Sequence, residues 1–108
     1  MIFILLPAFN EEKNLKILFK KIEKNFKSKK KIKVILIDDC SVDNTKKLIS
    51  KKNNFKIIYK KHKKNEGLNV AMETGLKLIN KKAKLNDIVV SLDSDNTHPI
   101  SLIPKMVK

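Results

Sequence analysis

Four short apolar runs, rich in β-branched residues, recur along the chain and restrict its fold more than any other feature. They are Ile2 to Leu6, Val34 to Ile37, Phe55 to Tyr59 and Ile88 to Leu92. Nearly continuous apolar runs of this length are typical of strands that are buried on both faces of a sheet. The sequence therefore predicts four interior strands.

Amphipathic stretches of helical period separate these runs. The first stretch has five apolar residues on one helix face: Leu15, Leu18, Phe19, Ile22 and Phe26. Leu48 and Ile49 give the second stretch a shorter apolar face. The third has a stripe from Leu68 to Ile79 in which Gly75 would allow close approach to the sheet, and a last helical segment begins near Pro99. This alternation predicts an α/β fold with a parallel sheet and right-handed crossovers.

Length and composition exclude several classes of protein. The 108 residues, 42% of them hydrophobic, are enough for one small domain with a core. No apolar run approaches the roughly 18–20 residues of a membrane span. The single cysteine, Cys40, excludes an internal disulfide framework and fits a reducing compartment. Neither a dinucleotide-binding GxGxxG motif nor a P-loop is present.

The formal charge of +14 comes from basic residues that are all lysine. A solvated basic surface is the favoured interpretation, and attraction to anionic lipid headgroups or polyanionic ligands is the alternative. A nucleic-acid-binding module would more often contain arginine and exposed aromatic side chains. Here tryptophan is absent and the one tyrosine, Tyr59, lies in a predicted strand. Nucleic acid is therefore not an expected partner.

Acidic side chains follow three of the four predicted strands, in segments 7–12, 38–45 and 93–98. Ligands of open parallel sheets bind at the carboxyl ends of the strands, where these segments would converge. Asp93 and Asp95 supply hard oxygen ligands of the type that suits Mg²⁺ or Mn²⁺. The sequence predicts a divalent-cation site here, although a simple turn would also account for this pair.

Other polar residues near the strand ends have structural interpretations. Asp43 is favoured as a helix cap, and Glu11 could be an ordinary acid of a first helical turn. Asp38 and Asp39 exceed what a cap needs, so at least one of them is expected to bind ligand. His62 lies in a lysine-rich loop and is expected to be solvated.

Four segments carry a resemblance to a known family: LLPAFNEEKNL, VILIDDCSVDNT, NEGLNVAMETGLK and DIVVSLDSDNTHP. Together they resemble the family 2 glycosyltransferases of the GT-A fold, over essentially the whole chain. Within that family the sequence is most similar to polyprenyl- and dolichyl-phosphate mannose or glucose synthases. The resemblance implies a Rossmann-like parallel sheet in the order 3-2-1-4, with helices on both faces.

The resemblance also implies which residues bind ligand. Eight positions match the family's nucleotide-sugar-binding positions: Pro7, Phe9, Glu11, Ile37, Asp39, Asp93, Ser94 and Asp95. Of these, Asp39 would contact the base or ribose, and Asp93 and Asp95 would hold Mg²⁺ or Mn²⁺. Two departures stand out: Phe9 replaces a common tyrosine, and Cys40 replaces the usual glycine, so its φ must be compatible with a side chain.

The implied activity is inverting transfer of a sugar from GDP-mannose or a UDP-sugar to an acceptor such as polyprenyl phosphate. The implied location is cytoplasmic, peripheral at the inner face of the membrane. No general base is identified in the chain, and none is needed, because a phosphate monoester is already an anionic nucleophile. Domains of this family continue well beyond the segment that matches Asp93-Ser94-Asp95. Residues 1–108 are therefore expected to be the nucleotide-sugar-binding part of a longer domain, which binds but does not transfer.

Two alternatives stay open on the sequence alone. A receiver-like signalling domain is also an α/β fold that places Mg²⁺ between acids at strand ends. A non-enzymatic basic module would bind nucleic acid or a membrane surface through its lysines, and its binding would fall steeply with salt. Phosphorylation of an aspartate would favour the first alternative. Binding that does not change when Asp93 and Asp95 are replaced by alanine would favour the second.

Overall fold

The structure, a computed structural model, describes residues 1–26, 31–49 and 55–92. The predicted Asp93-Ser94-Asp95 segment and the helix expected near Pro99 lie outside these residues. The described elements are, in chain order, β1 (Ile2–Ala8), α1 (Glu12–Asn25), β2 (Ile32–Asp38), a 3-10 helix (Thr45–Leu48), β3 (Lys56–Lys61), α2 (Leu68–Lys82) and β4 (Ile88–Ser91).

The four strands form a parallel sheet in the order β3-β2-β1-β4. Ile4 of β1 is paired with Val34 of β2 on one side and with Val90 of β4 on the other, and Val34 is paired in turn with Ile57 of β3. The predicted fold class and strand order are confirmed. β1 and β2 are the two central strands, so the loops that follow them meet in the middle of the carboxyl edge.

Alternate residues of the central strands face opposite helices, as the two-residue period of a strand requires. One core cluster lies on the α1 side and includes Ile4, Leu6, Val34, Leu36 and all five predicted α1 residues. A second, smaller cluster lies on the α2 side and comprises Phe3, Leu5, Ile35, Ile37, Ala71 and Ile79. Helices therefore cover both faces, as predicted.

The prediction that all four strands are interior is wrong for the two edge strands. The apolar side chains of β3 are only half-buried. In β4, Ile88 is 38% exposed and Val89 is 41% exposed. The reason is topological, because these strands lie at the two edges of the described sheet, while α2 packs chiefly over β1 and β2.

The second predicted helix is a single 3-10 turn, Thr45–Leu48, in the described part of the chain. Leu48 is 3% exposed and joins the core on the α1 side. Two adjacent apolar residues, Leu48 and Ile49, cannot form the repeated stripe that a longer amphipathic helix would bury. The segment therefore contributes one anchor to the core and leads from the carboxyl edge back toward β3.

Gly75 lets α2 approach the centre of the sheet, as its place in the apolar stripe predicted. A Cβ atom built at this glycine would lie 2.2 Å from Cδ1 of Leu5 in β1. Leu5 is fully buried, so its side chain has little room to move away. The short distance between α2 and β1 therefore depends on glycine, which has no side chain, at position 75.

Gly75→Val should lower the free energy of unfolding by about 1–3 kcal/mol, because the added methyl groups overpack the Leu5 contact. Asn80→Val is the matched control, since Asn80 is an exposed residue of the same helix, and it should change stability by less than about 0.5 kcal/mol. Urea unfolding monitored by circular dichroism measures both variants. Equal stability of the two variants would contradict the close packing.

Candidate functional site

Loops that follow β1, β2 and β3 come together at the carboxyl edge of the sheet. The backbone amide of Asp39 donates to the carbonyl of Ala8 over 2.8 Å, and the amide of His62 donates to the carbonyl of Asp38, also over 2.8 Å. These two bonds continue the parallel pairing one residue beyond each strand. Ligands of open α/β sheets bind at this edge, so it is the candidate site.

Asn10 links the loop after β1 to the loop after β2. Its backbone amide donates to Oγ of Ser41 over 3.0 Å, while its side-chain oxygen accepts from the amide of Val42 over 2.8 Å. Asn10 has a φ of 53°, in the left-handed region that asparagine tolerates better than most residues. The pair of bonds holds the two loops in one fixed arrangement.

Asp43 makes a second link between the same two loops. Its Oδ2 accepts from the amide of Glu12, the first residue of α1, over 3.2 Å, and its Oδ1 accepts from the amide of Thr45 over 3.0 Å. Oε1 of Glu12 accepts in return from the amide of Asn44 over 3.0 Å. Neither α1 nor the 3-10 helix has a side-chain hydrogen bond from its own N-cap residue. The predicted capping role of Asp43 is confirmed, and it extends to two helices.

The protonation of Asp43 follows from these contacts. Burial alone would raise the pKa of this carboxyl, but hydrogen bonds from the Thr45 hydroxyl and from the Glu12 and Thr45 amides hold it below its ordinary value. The carboxylate is therefore ionised at neutral pH. An anionic acceptor at a helix start is also favoured by the helix dipole.

The neighbouring acids Asp38 and Asp39 are both buried, with 1% and 4% of their surfaces exposed. Oδ1 of Asp38 accepts from the amide of Ser41 over 2.8 Å, and Oδ2 accepts from the hydroxyl of Tyr59. Burial and the hydrogen bond and charge of Asp38 raise the pKa of Tyr59 far above its usual value. Asp38 thus orders the turn after β2 and ties it to β3.

Asp39 organises the loop between β3 and α2. Its Oδ1 lies 2.8 Å from Nδ1 of His62 and accepts from the amide of Glu66 over 2.9 Å, and its Oδ2 accepts from the amide of Gly67 over 2.8 Å. Burial would raise the pKa of Asp39, but the two amides and His62 lower it below its ordinary value. Of roughly four lone-pair positions on a carboxylate, three are used within the protein.

The predicted binding residues occupy different environments. Phe9 is 44% exposed and Glu11 is half-buried, with its Oε2 accepting from Nδ2 of Asn14 over 2.7 Å, and both lie at the carboxyl edge. Pro7 is buried in β1, and Ile37 is fully buried in the core on the α2 side. The ligand-binding roles of these residues, and of Asp39, stay predictions.

Asp93, Ser94 and Asp95 lie outside the described residues. In the described part of the chain, no group of three histidine, cysteine, aspartate or glutamate side chains could hold a metal ion. The buried aspartates at the edge are also committed to hydrogen bonds within the protein. The metal-binding roles of Asp93 and Asp95 stay predictions.

Two expectations from the sequence differ from the structure. His62 is not solvated: it is 7% exposed, because it continues the register of β3 and turns inward beside Asp39. Its place directly after an apolar strand was the available signal. At Cys40 we expected a φ that a side chain tolerates. Its φ is instead 67°, in the left-handed region, which costs about 1–2 kcal/mol for a residue with a side chain.

The family model described as Glycosyl transferase family 2 matches residues 3–108. The chain belongs to this family. Membership places the chain outside the receiver-like class that the acidic strand ends also allowed. No helix in the part of the family 2 chain that the structure describes is long and apolar enough to cross a membrane.

Two named relatives share close to a third of their aligned residues with this family 2 chain. It is 32% identical over 123 residues to the UDP-N-acetylglucosamine–dolichyl-phosphate N-acetylglucosaminyltransferase of Methanococcus voltae. That alignment covers 100% of this chain and 46% of the relative. The chain is 31% identical over 108 residues to the dolichol-phosphate mannosyltransferase of Pyrococcus furiosus. That alignment covers 97% of this chain and 28% of the relative. The chain thus spans less than half the length of either relative.

Solved structures confirm the GT-A fold. Residues 1–349 of TarS from S. aureus, in complex with UDP-GlcNAc, superpose with a TM-score of 0.74 at 26% identity, covering 87% of this chain and 26% of that one. The mannosyltransferase PcManGT from Pyrobaculum calidifontis, in complex with GDP-Man and Mn²⁺, gives a TM-score of 0.75 at 20% identity, covering 94% and 29%. The second likeness concerns the fold alone.

Asp43→Ala should lower the free energy of unfolding by about 1–2 kcal/mol at pH 7, because it leaves the amides at two helix starts without an acceptor. Since folding lowers the pKa of Asp43 below 3.8, its stabilisation is present above that pH and is lost as pH falls through the folded value. The difference between wild type and variant should therefore shrink in acid. Urea unfolding at pH 7 and through the acid range measures it.

Glu73→Ala is the control for this comparison, since Glu73 is exposed on α2 and pairs with the exposed Lys77 at 3.4 Å. Its effect should stay within about 0.5 kcal/mol at every pH. An Asp43→Ala variant as stable as this control would contradict the capping role.

Proposed function

We propose that this family 2 chain binds a nucleotide-diphosphate sugar at the carboxyl edge of its sheet, as the donor-binding part of a glycosyltransferase. The observation that carries the proposal is the pre-organised edge, in which hydrogen bonds join the loops after β1 and β2. Asn10 bonds Ser41 and Val42, and Glu12 bonds Asp43 and Asn44. An edge held in this way can receive a ligand without first ordering its loops, which reduces the entropic cost of binding.

Several groups at the edge keep the capacity to contact a donor. The exposed ring of Phe9 can stack on a base, an interaction that accepts any base. Oε2 of Glu11 bonds Asn14, and the carboxylate has further acceptor positions that a ribose hydroxyl could use. Asp39 has one lone-pair position left for a ribose or base donor. Their position at one edge supports the predicted binding roles.

Mg²⁺ or Mn²⁺ is the proposed cofactor, with Asp93 and Asp95 as its protein ligands. A bound divalent ion stabilises the negative charge that develops on a leaving nucleoside diphosphate. Support comes from the chemistry of the two carboxylates, which directly follow β4 and the buried Leu92. It also comes from the PcManGT complex, which contains Mn²⁺.

The proposed acceptor is a polyprenyl phosphate, the class named for both relatives. Its phosphate oxygen is already anionic at neutral pH and can displace the nucleoside diphosphate directly, which inverts the anomeric centre. Such an acceptor lies in a membrane, and the charge of +14 would attract the chain to anionic lipid. We therefore also propose a cytoplasmic protein that is peripheral at the inner membrane face.

The direct test measures binding of UDP-GlcNAc, UDP-glucose and GDP-mannose to the 108-residue chain by calorimetry, with Mn²⁺ or with a chelator. We expect one of these donors to bind in the presence of Mn²⁺. Removal of the metal, or the change Asp95→Ala, should weaken that binding by at least about tenfold, since an ion that bridges protein and diphosphate is lost.

Glu73→Ala serves again as the control, because Glu73 lies on the exposed surface of α2 and should leave affinity unchanged. Two results would contradict the proposal: no binding of any donor, or equal affinity with and without Mn²⁺ in wild type and Asp95→Ala alike. A donor preference between uridine and guanosine nucleotides would identify the nucleotide class.

A further inference from the structure

His62 is a buried titratable side chain that the proposed donor binding does not use directly. Its ring lies between the end of β2 and the second turn of α2, with Nδ1 2.8 Å from Oδ1 of Asp39 and Nε2 2.8 Å from Oγ1 of Thr74. Its backbone amide is bonded to the carbonyl of Asp38. His62, which directly follows β3, thus links the end of β2 to α2.

The partner of Nδ1 requires that this nitrogen carry a proton. Oδ1 of Asp39 already accepts from the amide of Glu66, and hydrogen bonds hold the pKa of Asp39 below its ordinary value. An ionised carboxylate can only accept hydrogen bonds. Nδ1 of His62 is therefore the donor in this contact.

Nε2 of His62 shares a hydrogen bond with the hydroxyl of Thr74. Oγ1 of Thr74 lies 2.8 Å from Nε2 and 3.0 Å from the carbonyl oxygen of Val70. A hydroxyl group can both donate and accept, so this contact forms whichever way its hydrogen points. Both ring nitrogens therefore have a partner, one at the end of β2 and one on α2.

We propose that His62 is a positioning residue that, bonded through Nδ1 to Asp39 and through Nε2 to Thr74, holds the loop of residues 63–67 at the carboxyl edge. The loop is fixed because the same Asp39 carboxylate accepts the amides of Glu66 and Gly67. Gly67 has a φ of 93° and precedes the first residue of α2, so this contact also sets where the helix begins. The link from this loop to donor affinity rests on the proposed function.

The described groups around the ring come from three elements. From the end of β2 the ring faces Asp39, and from the loop it faces Oε2 of Glu66, 3.7 Å from Nδ1. From α2 it meets the hydroxyl of Thr74. Contacts from three sides fix the orientation of the ring between β2, the loop and α2.

The first experiment reads the ring directly, without any nucleotide. Nitrogen-15 NMR of the histidines at pH 7 should show a proton on Nδ1 of His62, whose signals are identified by their loss in His62→Gln. Thr74→Val keeps the shape of the side chain but removes the hydroxyl, so the Nε2 signal should shift as its hydrogen bond is lost. Thr74→Ser restores a hydroxyl and should restore the wild-type Nε2 signal.

The second experiment reads the loop. Hydrogen exchange of the Glu66 and Gly67 amides should be at least about fivefold faster in Thr74→Val than in wild type or Thr74→Ser, which corresponds to about 1 kcal/mol. Thr45→Val is the control for general loss of stability, since Thr45 is also a buried threonine but bonds Asp43 on the other side of the edge. It should leave the His62 ring signals unchanged.

An Nδ1 of His62 that carries no proton in the wild-type chain at pH 7, or identical loop exchange in Thr74→Val and wild type, would overturn the proposal. Donor affinity forms a separate arm: Thr74→Val should weaken nucleotide-sugar binding by about fivefold, and Thr74→Ser should not. Absence of binding in the wild-type chain would count against the proposed function alone, because the ring and the loop are measured without ligand.

Discussion

The arrangement of the carboxyl edge depends on two adjacent carboxylates at the end of β2. Because successive residues of an extended chain face opposite sides of the sheet, Asp38 bonds Tyr59 and the Ser41 turn, while Asp39 bonds His62 and the amides that precede α2. Each carboxylate is buried, and each is satisfied by donors from a different loop. The pair converts the ends of two strands into a single rigid rim.

The sheet was predictable from the sequence because its signals are local. Apolar runs and helical stripes identify the strands and helices, and Gly75 indicates the close helix contact. The edge was less predictable, since many of its contacts join residues far apart in the chain, such as 23 positions for the His62–Asp39 bond and 32 for the Val42–Asn10 bond. The donors to Asp38 and Asp39 were not predictable for this reason, and the interpretation of His62 as solvated was wrong for the same reason.

Rigidity and ligand capacity are divided among different residues of the edge. Asn10, Glu12 and Asp43 are occupied in holding the loops together, whereas Phe9 and Glu11 keep exposed or unused groups. The buried network defines the shape of the rim, and a few side chains on the rim are available for the proposed binding of a nucleotide sugar.

Paramagnetic broadening by Mn²⁺ tests most directly whether this rim is the donor site. With UDP-GlcNAc or GDP-mannose present, Mn²⁺ should selectively broaden the backbone amide signals of Phe9 and Cys40, at the carboxyl ends of β1 and β2. Signals of Ile2 and Ile32, which are paired at the amino ends of the same strands, should stay sharp. Broadening centred on the amino edge, or spread equally over both edges, would contradict the account.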